Sequence, residues 1–105
     1  AGVQTASGRP TIITGTIYTN QWSMLAMSYD GSNTKTYVNG ELIGTVSQTG
    51  NITSETTYYV GTYANLGDSN HNWPGRISYA TMYSRGLTAA EIKQNYNAIK
   101  SRYNL

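Results

Sequence analysis

The dipeptide Asn39-Gly40 is the feature that most constrains the fold of this chain, because it stands between two segments of extended character, KTYV and ELIGTV. A two-residue hairpin turn of type I′ requires positive φ at both central residues, and Asn and Gly adopt that conformation at the least cost. The sequence therefore predicts a β-hairpin over residues 35–46, which any proposed fold must contain.

The segments around this hairpin are also predicted to be strands. They are rich in β-branched residues and tyrosine and are separated by turn-forming residues. In one of them, WSMLAMSYD, apolar side chains fall on both faces, which favours an interior strand covered on both sides. Trp22, at its start, is accordingly expected in the core. The predicted strands are residues 11–18, 22–30, 56–63 and 75–84.

The end of the chain changes to a helical period. Thr88 and Glu91 stand at the spacing of a capping box, in which each side chain bonds the backbone of the other residue. Beyond them apolar residues recur at intervals of three and four, which makes one helical stripe. The sequence thus predicts a single helix over about 89–102, docked on the sheet of an all-β domain. The stripe is Ala89, Ile92, Tyr96, Ile99 and Tyr103.

Composition excludes several functions. The 105 residues carry a net charge of +2, which is too small to favour nucleic acid as a partner, and they include no cysteine. A disulfide framework and a thiolate metal site are therefore excluded. There is no apolar run of the length that a membrane helix needs, so we expect no membrane insertion.

Two stretches resemble laminin-G-like, concanavalin-A-type jelly rolls. QWSMLAMSYDGSNTKTYVNGELIG resembles the central hairpin of that family, and YVGTYANLGDSNHNWPGRISYATMYSRGLTAAEIKQNYNAIKSRY resembles its closing section. The likeness runs from about Val3 to Tyr103 and implies a concanavalin-A-like jelly-roll sandwich over residues 1–105. The ending EIKQNYNAIKSRYNL is similar to the C-termini of such domains in structural proteins of tailed bacteriophages.

The chain departs from this family because complete members carry an N-terminal half before the matching region. We therefore expect the C-terminal half of a sandwich, completed by residues upstream of Ala1 or by other subunits. Open strand edges pair readily with other chains, so a homo-oligomer or contacts with other virion subunits are expected. The alternative is a six-strand sheet that is stable alone.

Glycoside hydrolases share this architecture, so an enzyme must be considered. Hydrolysis needs two carboxylates about 5–9.5 Å apart, yet no two of the five acids lie closer than eleven positions in the sequence. Asp30, Glu41 and Glu91 are expected to have structural roles in a turn, the hairpin and the helix cap. The remaining candidate pair of catalytic carboxylates is Glu55 with Asp68. His71 is the one histidine, and no serine has the surroundings of a nucleophile. We expect no catalytic residues.

The loop of residues 64–73 holds the predicted ligand site. Amide and carboxylate side chains bond sugar hydroxyls, and an aromatic ring stacks on the apolar face of a sugar. Two of the residues, Asp68 and Asn70, also suit Ca²⁺ as a cofactor, because this ion prefers oxygen ligands. The alternative is a purely structural loop of turn formers, with its tryptophan in the core. The candidate glycan-binding residues are Asn65, Asp68, Asn70, His71 and Trp73.

Tyrosines on two predicted strands form a candidate interface. Tyrosine is enriched in protein–protein interfaces, and strands with Tyr on both faces must point one set outward. The alternative is that these tyrosines are simply exposed on the surface of the sheet and contact no other chain. These residues are Tyr58, Tyr59, Tyr63, Tyr79 and Tyr83.

Three functions follow from the pattern and the resemblance. The first is a non-enzymatic, lectin-like protein of a bacteriophage virion surface, as capsid decoration or in a tail or fibre, in contact with glycans. The second is a carbohydrate-binding or adhesion module of a secreted cellular protein. The third is a remnant of a glycosidase-fold enzyme.

Overall fold

The computed structural model describes residues 15–53, 60–61 and 73–105. Their elements are β1 (Leu25–Tyr29), β2 (Asn33–Val38), β3 (Glu41–Ser47), α1 (Ala89–Ile99) and a 3₁₀ helix (Lys100–Tyr103). The chain divides into a first unit, Ala1–Thr53 with Ser84–Leu105, and a second unit, Ser54–Tyr83. All five elements belong to the first unit. Neither helix in the described ranges has the length and apolar character to cross a membrane.

The predicted hairpin is confirmed. β2 and β3 pair antiparallel, with Val38 opposite Glu41, and the turn residues Asn39 and Gly40 have φ of 50° and 78°. Asn39 also fixes the start of β1, because its backbone N–H donates to the Met24 carbonyl (2.8 Å) and its Oδ1 accepts from the Met24 N–H (2.9 Å). One asparagine therefore forms the turn and aligns the neighbouring strand.

A second turn joins β1 to β2 and gives an antiparallel sheet in the order β1-β2-β3. Asp30 Oδ1 accepts hydrogen bonds from the backbone N–H groups of Ser32 (2.9 Å) and Asn33 (2.7 Å). These two bonds stabilise the ionised carboxyl group and lower the pKa of Asp30. Gly31 supplies the positive φ, 92°, that the turn requires.

A β-bulge interrupts the pairing of β2 with β3. Thr36 pairs with Gly44 and Tyr37 pairs with Leu42, so Ile43 is the extra residue of β3. The bulge lies beside Tyr37, which is one of the two buried apolar residues among those described. The Ile43 side chain packs over Gly15, where a Cβ would lie 2.5 Å from Ile43 Cδ1.

The capping box at the start of α1 is confirmed. Thr88 Oγ1 accepts from the Glu91 N–H (3.2 Å), and Glu91 Oε2 accepts from the Thr88 N–H (2.8 Å). The α-helix ends at Ile99 and the last predicted turn is 3₁₀. Ile92, in the predicted stripe, is 1% exposed. The helix therefore starts where the sequence predicts and buries Ile92, but its α-helical part ends three residues early and Ala89, the first residue of the predicted stripe, is exposed.

The segment before α1 is fixed to strand β1. Ser28 Oγ donates to the Leu87 carbonyl (2.7 Å), and Ser28 is itself buried. A Cβ at Gly86 would lie 2.5 Å from the Tyr29 carbonyl oxygen. Because that oxygen belongs to the backbone and cannot rotate away, only glycine allows this approach.

The middle of α1 packs on the hairpin turn. Lys93 forms an ion pair with Glu41, the first residue of β3. A Cβ at Gly40 would lie 2.9 Å from Lys93 Cδ and 3.1 Å from Tyr96 Cβ. Gly40 thus meets two demands, the positive φ of the turn and the close approach of the helix.

The strand predicted over residues 22–30 is observed as β1, which is shorter, and its large side chains are not covered. Within the described residues the middle strand is β2, and β1 pairs with β2 alone. Leu25 and Met27 are 54% and 39% exposed, and Trp22 is 40% exposed instead of lying in the core. The small residues Ala26 and Ser28 face inward, so alternation along β1 places its large apolar side chains outward.

The other predicted strands have different outcomes. The strand predicted over residues 75–84 is not observed, since none of these residues is part of a strand in the structure. Residues 15–18 likewise are not a strand. Residues 11–14 and nearly all of 56–63 lie outside the described residues. The described part of the chain is thus mostly β with one C-terminal helix, as the sequence predicts.

Candidate functional site

Of the predicted glycan-binding residues, the structure describes Trp73. It lies in the second unit and is 42% exposed, so the alternative of a core tryptophan is wrong. Its backbone N–H donates to the Gly61 carbonyl (2.6 Å). Its indole lies against Gly75, where a Cβ would be 3.0 Å from Trp73 Nε1. Gly75 therefore leaves room for the indole of an exposed tryptophan.

Gly61 completes the support of Trp73. Its φ is +78°, and a Cβ there would lie 2.8 Å from Ile77 Cδ1 and 3.6 Å from Trp73 Cβ. Glycine is thus required for the backbone conformation, and Gly61 packs against both side chains. The other predicted ligand residues, Asn65, Asp68, Asn70 and His71, lie outside the described residues.

The calcium prediction is untested for the same reason, since both proposed ligands are outside the described ranges. Within those ranges, no group of three or more His, Asp or Glu side chains could hold a metal ion. The proposed Ca²⁺ ligands therefore remain Asp68 and Asn70.

Two of the five predicted interface tyrosines are described. Tyr79 and Tyr83 are 48% and 50% exposed. Apolar neighbours in the same unit are exposed with them, notably Met82 at 72%. An interface remains a prediction, and Tyr58, Tyr59 and Tyr63 lie outside the described residues.

The three described carboxylates that could serve catalysis are held in structural contacts. Asp30 binds two backbone N–H groups of its turn, and Glu41 pairs with Lys93. Glu91 accepts two hydrogen bonds from the Arg85 guanidinium (2.8 and 2.9 Å), which, with the bond from the Thr88 backbone, lower its pKa to about 2. A glycosidase acid needs a raised pKa, and the pKa values of Asp30 and Glu91 are lowered.

Sequence reasoning missed a surface cluster in the first unit, which we call the aromatic–arginine cluster: Trp22, Arg102 and Tyr103. The rings of Trp22 and Tyr103 have centroids 5.3 Å apart and planes inclined at 57°. The Arg102 guanidinium lies over the Tyr103 ring, 5.7 Å from its centroid. The helical stripe placed Tyr103 on the inner face of the helix but carried no signal that its neighbour there is Trp22.

Two large apolar side chains of the edge of the sheet formed by β1 are also exposed. Leu25 and Met27 project from β1, and beside Met27 on β2 lies Thr36, which is 6% exposed. Thr36 Oγ1 is buried with no hydrogen-bond partner within the part of the chain that the structure describes. Large apolar side chains exposed beside a buried hydroxyl are typical of a surface that another layer covers.

The comparisons with known proteins agree with this architecture. A family model described as the concanavalin A-like lectin/glucanases superfamily matches residues 2–93. No curated protein matches the chain significantly. The fold is similar to that of an S-layer domain-containing protein from Clostridium thermocellum (residues 221–444), with a TM-score of 0.66 and 23% identity. That match covers 85% of this chain but 46% of the other, so this chain spans about half of the matched structure.

Proposed function

Because the chain belongs to the concanavalin A-like lectin/glucanases superfamily, we propose that it is a non-enzymatic, lectin-like module that binds carbohydrate outside the cell. The observation that carries this proposal is Trp73, an exposed indole fixed at the end of the loop that holds the predicted ligand residues. A residue whose backbone is bonded to Gly61 and whose ring packs on Gly75 loses less conformational freedom when a sugar stacks on it than a mobile side chain would.

A secreted or cell-surface adhesion module is favoured over a virion-surface protein. The structure with the similar fold is named as an S-layer domain-containing protein, a bacterial protein, and none of these matches names a bacteriophage protein. The likeness of the C-terminal helix to phage proteins remains a prediction. Mass spectrometry of the native particle or cell envelope would separate the two locations.

The absence of catalysis is proposed from the chemistry of the carboxylates. Asp30, Glu41 and Glu91 hold a turn, a helix contact and a helix cap, and no two of them are neighbours in sequence. A reaction would have to use Glu55 with Asp68. The proposal therefore predicts that a bound glycan is released unchanged.

The exposed face of β1 supports assembly with a second layer. Leu25 and Met27 expose large apolar side chains, and the matched structure is about twice as long as this chain. We propose that upstream residues or another subunit covers this face, as in a homo-oligomer. The tyrosines Tyr79 and Tyr83 offer further apolar surface for such contacts.

A glycan array tests the carbohydrate proposal. The purified chain is applied with and without a calcium chelator, beside the variants Trp73→Ala and Asp68→Ala/Asn70→Ala. We expect glycan binding that Trp73→Ala abolishes and that the loop double variant weakens by about tenfold or more. Loss of binding on chelation would add Ca²⁺ to the site.

The matched control is Tyr18→Ala, which removes an exposed aromatic ring outside the loop. Binding should survive this change. Absence of binding to every glycan would overturn the proposal, and binding that is indifferent to both loop variants would place the site elsewhere.

A further inference from the structure

The aromatic–arginine cluster presents an aromatic surface. Trp22 is 40% exposed, and its ring meets that of Tyr103 at 57°, so the two rings form an angle instead of a flat stack. An exposed indole has an apolar face and an N–H donor at its edge. Sugars have the complementary surface, with C–H groups on one face of the ring and hydroxyl groups around it.

Arg102 adds an uncompensated positive charge to this surface. The residue is exposed, and within the described part of the chain its guanidinium makes no ion pair. The guanidinium lies over the face of the Tyr103 ring. This contact orients the guanidinium but does not neutralise its charge. A guanidinium matches a carboxylate through two parallel hydrogen bonds.

From these two features we propose that the aromatic–arginine cluster is a second carbohydrate site, which binds a sugar carrying a carboxylate, such as a uronic acid. Trp22 packs against the sugar ring and Arg102 binds its carboxylate. The site lies in the first unit and shares no residue with the loop of residues 64–73. It rests on the proposed function only in that the ligand is a carbohydrate.

An acidic peptide is the competing ligand, since its carboxylates would also be attracted to Arg102. The exposed indole favours the sugar, because a short acidic side chain offers little surface to cover the Trp22 ring. The two ligands are separated experimentally by comparing tetragalacturonate with tetraglutamate.

The test uses the ¹⁵N-labelled chain, whose two indole N–H signals are assigned with Trp22→Phe and Trp73→Phe. On addition of tetragalacturonate we expect a saturable shift of the Trp22 signal. Arg102→Gln should raise the Kd about tenfold, because it removes a charge-assisted pair of hydrogen bonds. The control Lys100→Gln removes an equal charge two residues earlier and should change the Kd less than twofold.

A stationary Trp22 signal would overturn the inference. So would equal weakening by Arg102→Gln and Lys100→Gln, since this would reveal only general attraction by positive charge. Equal affinity for tetragalacturonate and its methyl ester, or for tetraglutamate, would also contradict it. A glycan that shifts only the Trp73 signal would support the proposed function while overturning this second site.

Discussion

Glu91 gathers three hydrogen bonds that fix the start of α1. Two come from the Arg85 guanidinium and one from the Thr88 backbone N–H, and the Thr88 hydroxyl oxygen accepts a further bond from the Glu91 backbone N–H. Since Gly86 and Leu87 lie between these residues and contact β1, the same bonds stabilise the attachment of the helix to the sheet.

Thr88→Ala is expected to lower the free energy of unfolding by about 1 kcal/mol, because the Glu91 backbone N–H loses its acceptor. Urea denaturation followed by circular dichroism measures the change. Thr88→Ser keeps the hydroxyl and should retain most of the stability, so equal losses in the two variants would show that the cap itself contributes little.

The stabilising effect of the Glu91 carboxylate is expected to depend on pH. Its pKa is lowered from 4.5 to about 2 in the folded chain, chiefly by Arg85. A lowered pKa gives stability that is fully present above pH 4.5 and is lost as the pH falls towards 2.

Urea midpoints of the natural chain and Glu91→Gln, measured from pH 7 to pH 2, check this. The difference between them should be constant above pH 5 and shrink below pH 4.5. Asp30, whose pKa is also lowered, is common to both proteins and cancels in the difference. A difference independent of pH would contradict the charged contact.

Single residues divide into those that sequence could assign and those it could not. Thr88, Glu91 and Asn39 act through neighbours within a few positions, so spacing alone identified them. Trp22 was wrongly predicted to lie in the core, and its ring contact is with Tyr103, eighty-one positions later in the sequence. The hydrogen bond from the Trp73 backbone to Gly61 likewise joins residues that are distant in sequence, so no local pattern predicted it.

At the scale of elements, the hairpin and the helix are coupled through Gly40. The turn requires positive φ there, and α1 requires that no side chain project towards Lys93 and Tyr96. The hairpin and helix were predictable because each follows from local turn and capping chemistry. The order of the strands in the sheet was not predictable, because it depends on which strands pair with each other.

Gly40→Ala is therefore expected to destabilise the chain by about 2 kcal/mol or more. The matched control is Gly31→Ala, where φ is +92° but no atom lies within 4 Å of the added Cβ. The control should cost about 1 kcal/mol, from backbone strain alone, while Gly40→Ala adds overpacking against the helix. Equal losses, measured by urea denaturation, would show that the helix does not press on the turn.

At the scale of the whole molecule, family membership was predictable because the motifs recur in order along nearly the whole chain. The exposure of β1 was not predictable from the sequence. The alternation of apolar and polar residues shows which side chains share a face of the strand, but not whether anything covers that face. Leu25 and Met27 are apolar and exposed, which is the expected condition of half a sandwich.

Self-association through this face is expected for the 105-residue chain on its own. Leu25→Lys/Met27→Lys should shift it towards monomer in sedimentation velocity, because two charges cannot be buried unpaired. Tyr18→Lys, at a residue 67% exposed outside the sheet, is the control and should leave the distribution unchanged. A natural chain that is monomeric at all concentrations would contradict a contact between copies.

The most direct test of a lectin-like, non-enzymatic module is native mass spectrometry of the chain incubated with glycans that bind on the array. The account predicts complexes whose added mass equals the intact glycan, with that mass unchanged after prolonged incubation. Spectra without any glycan complex, or with progressively shortened glycans, would contradict it.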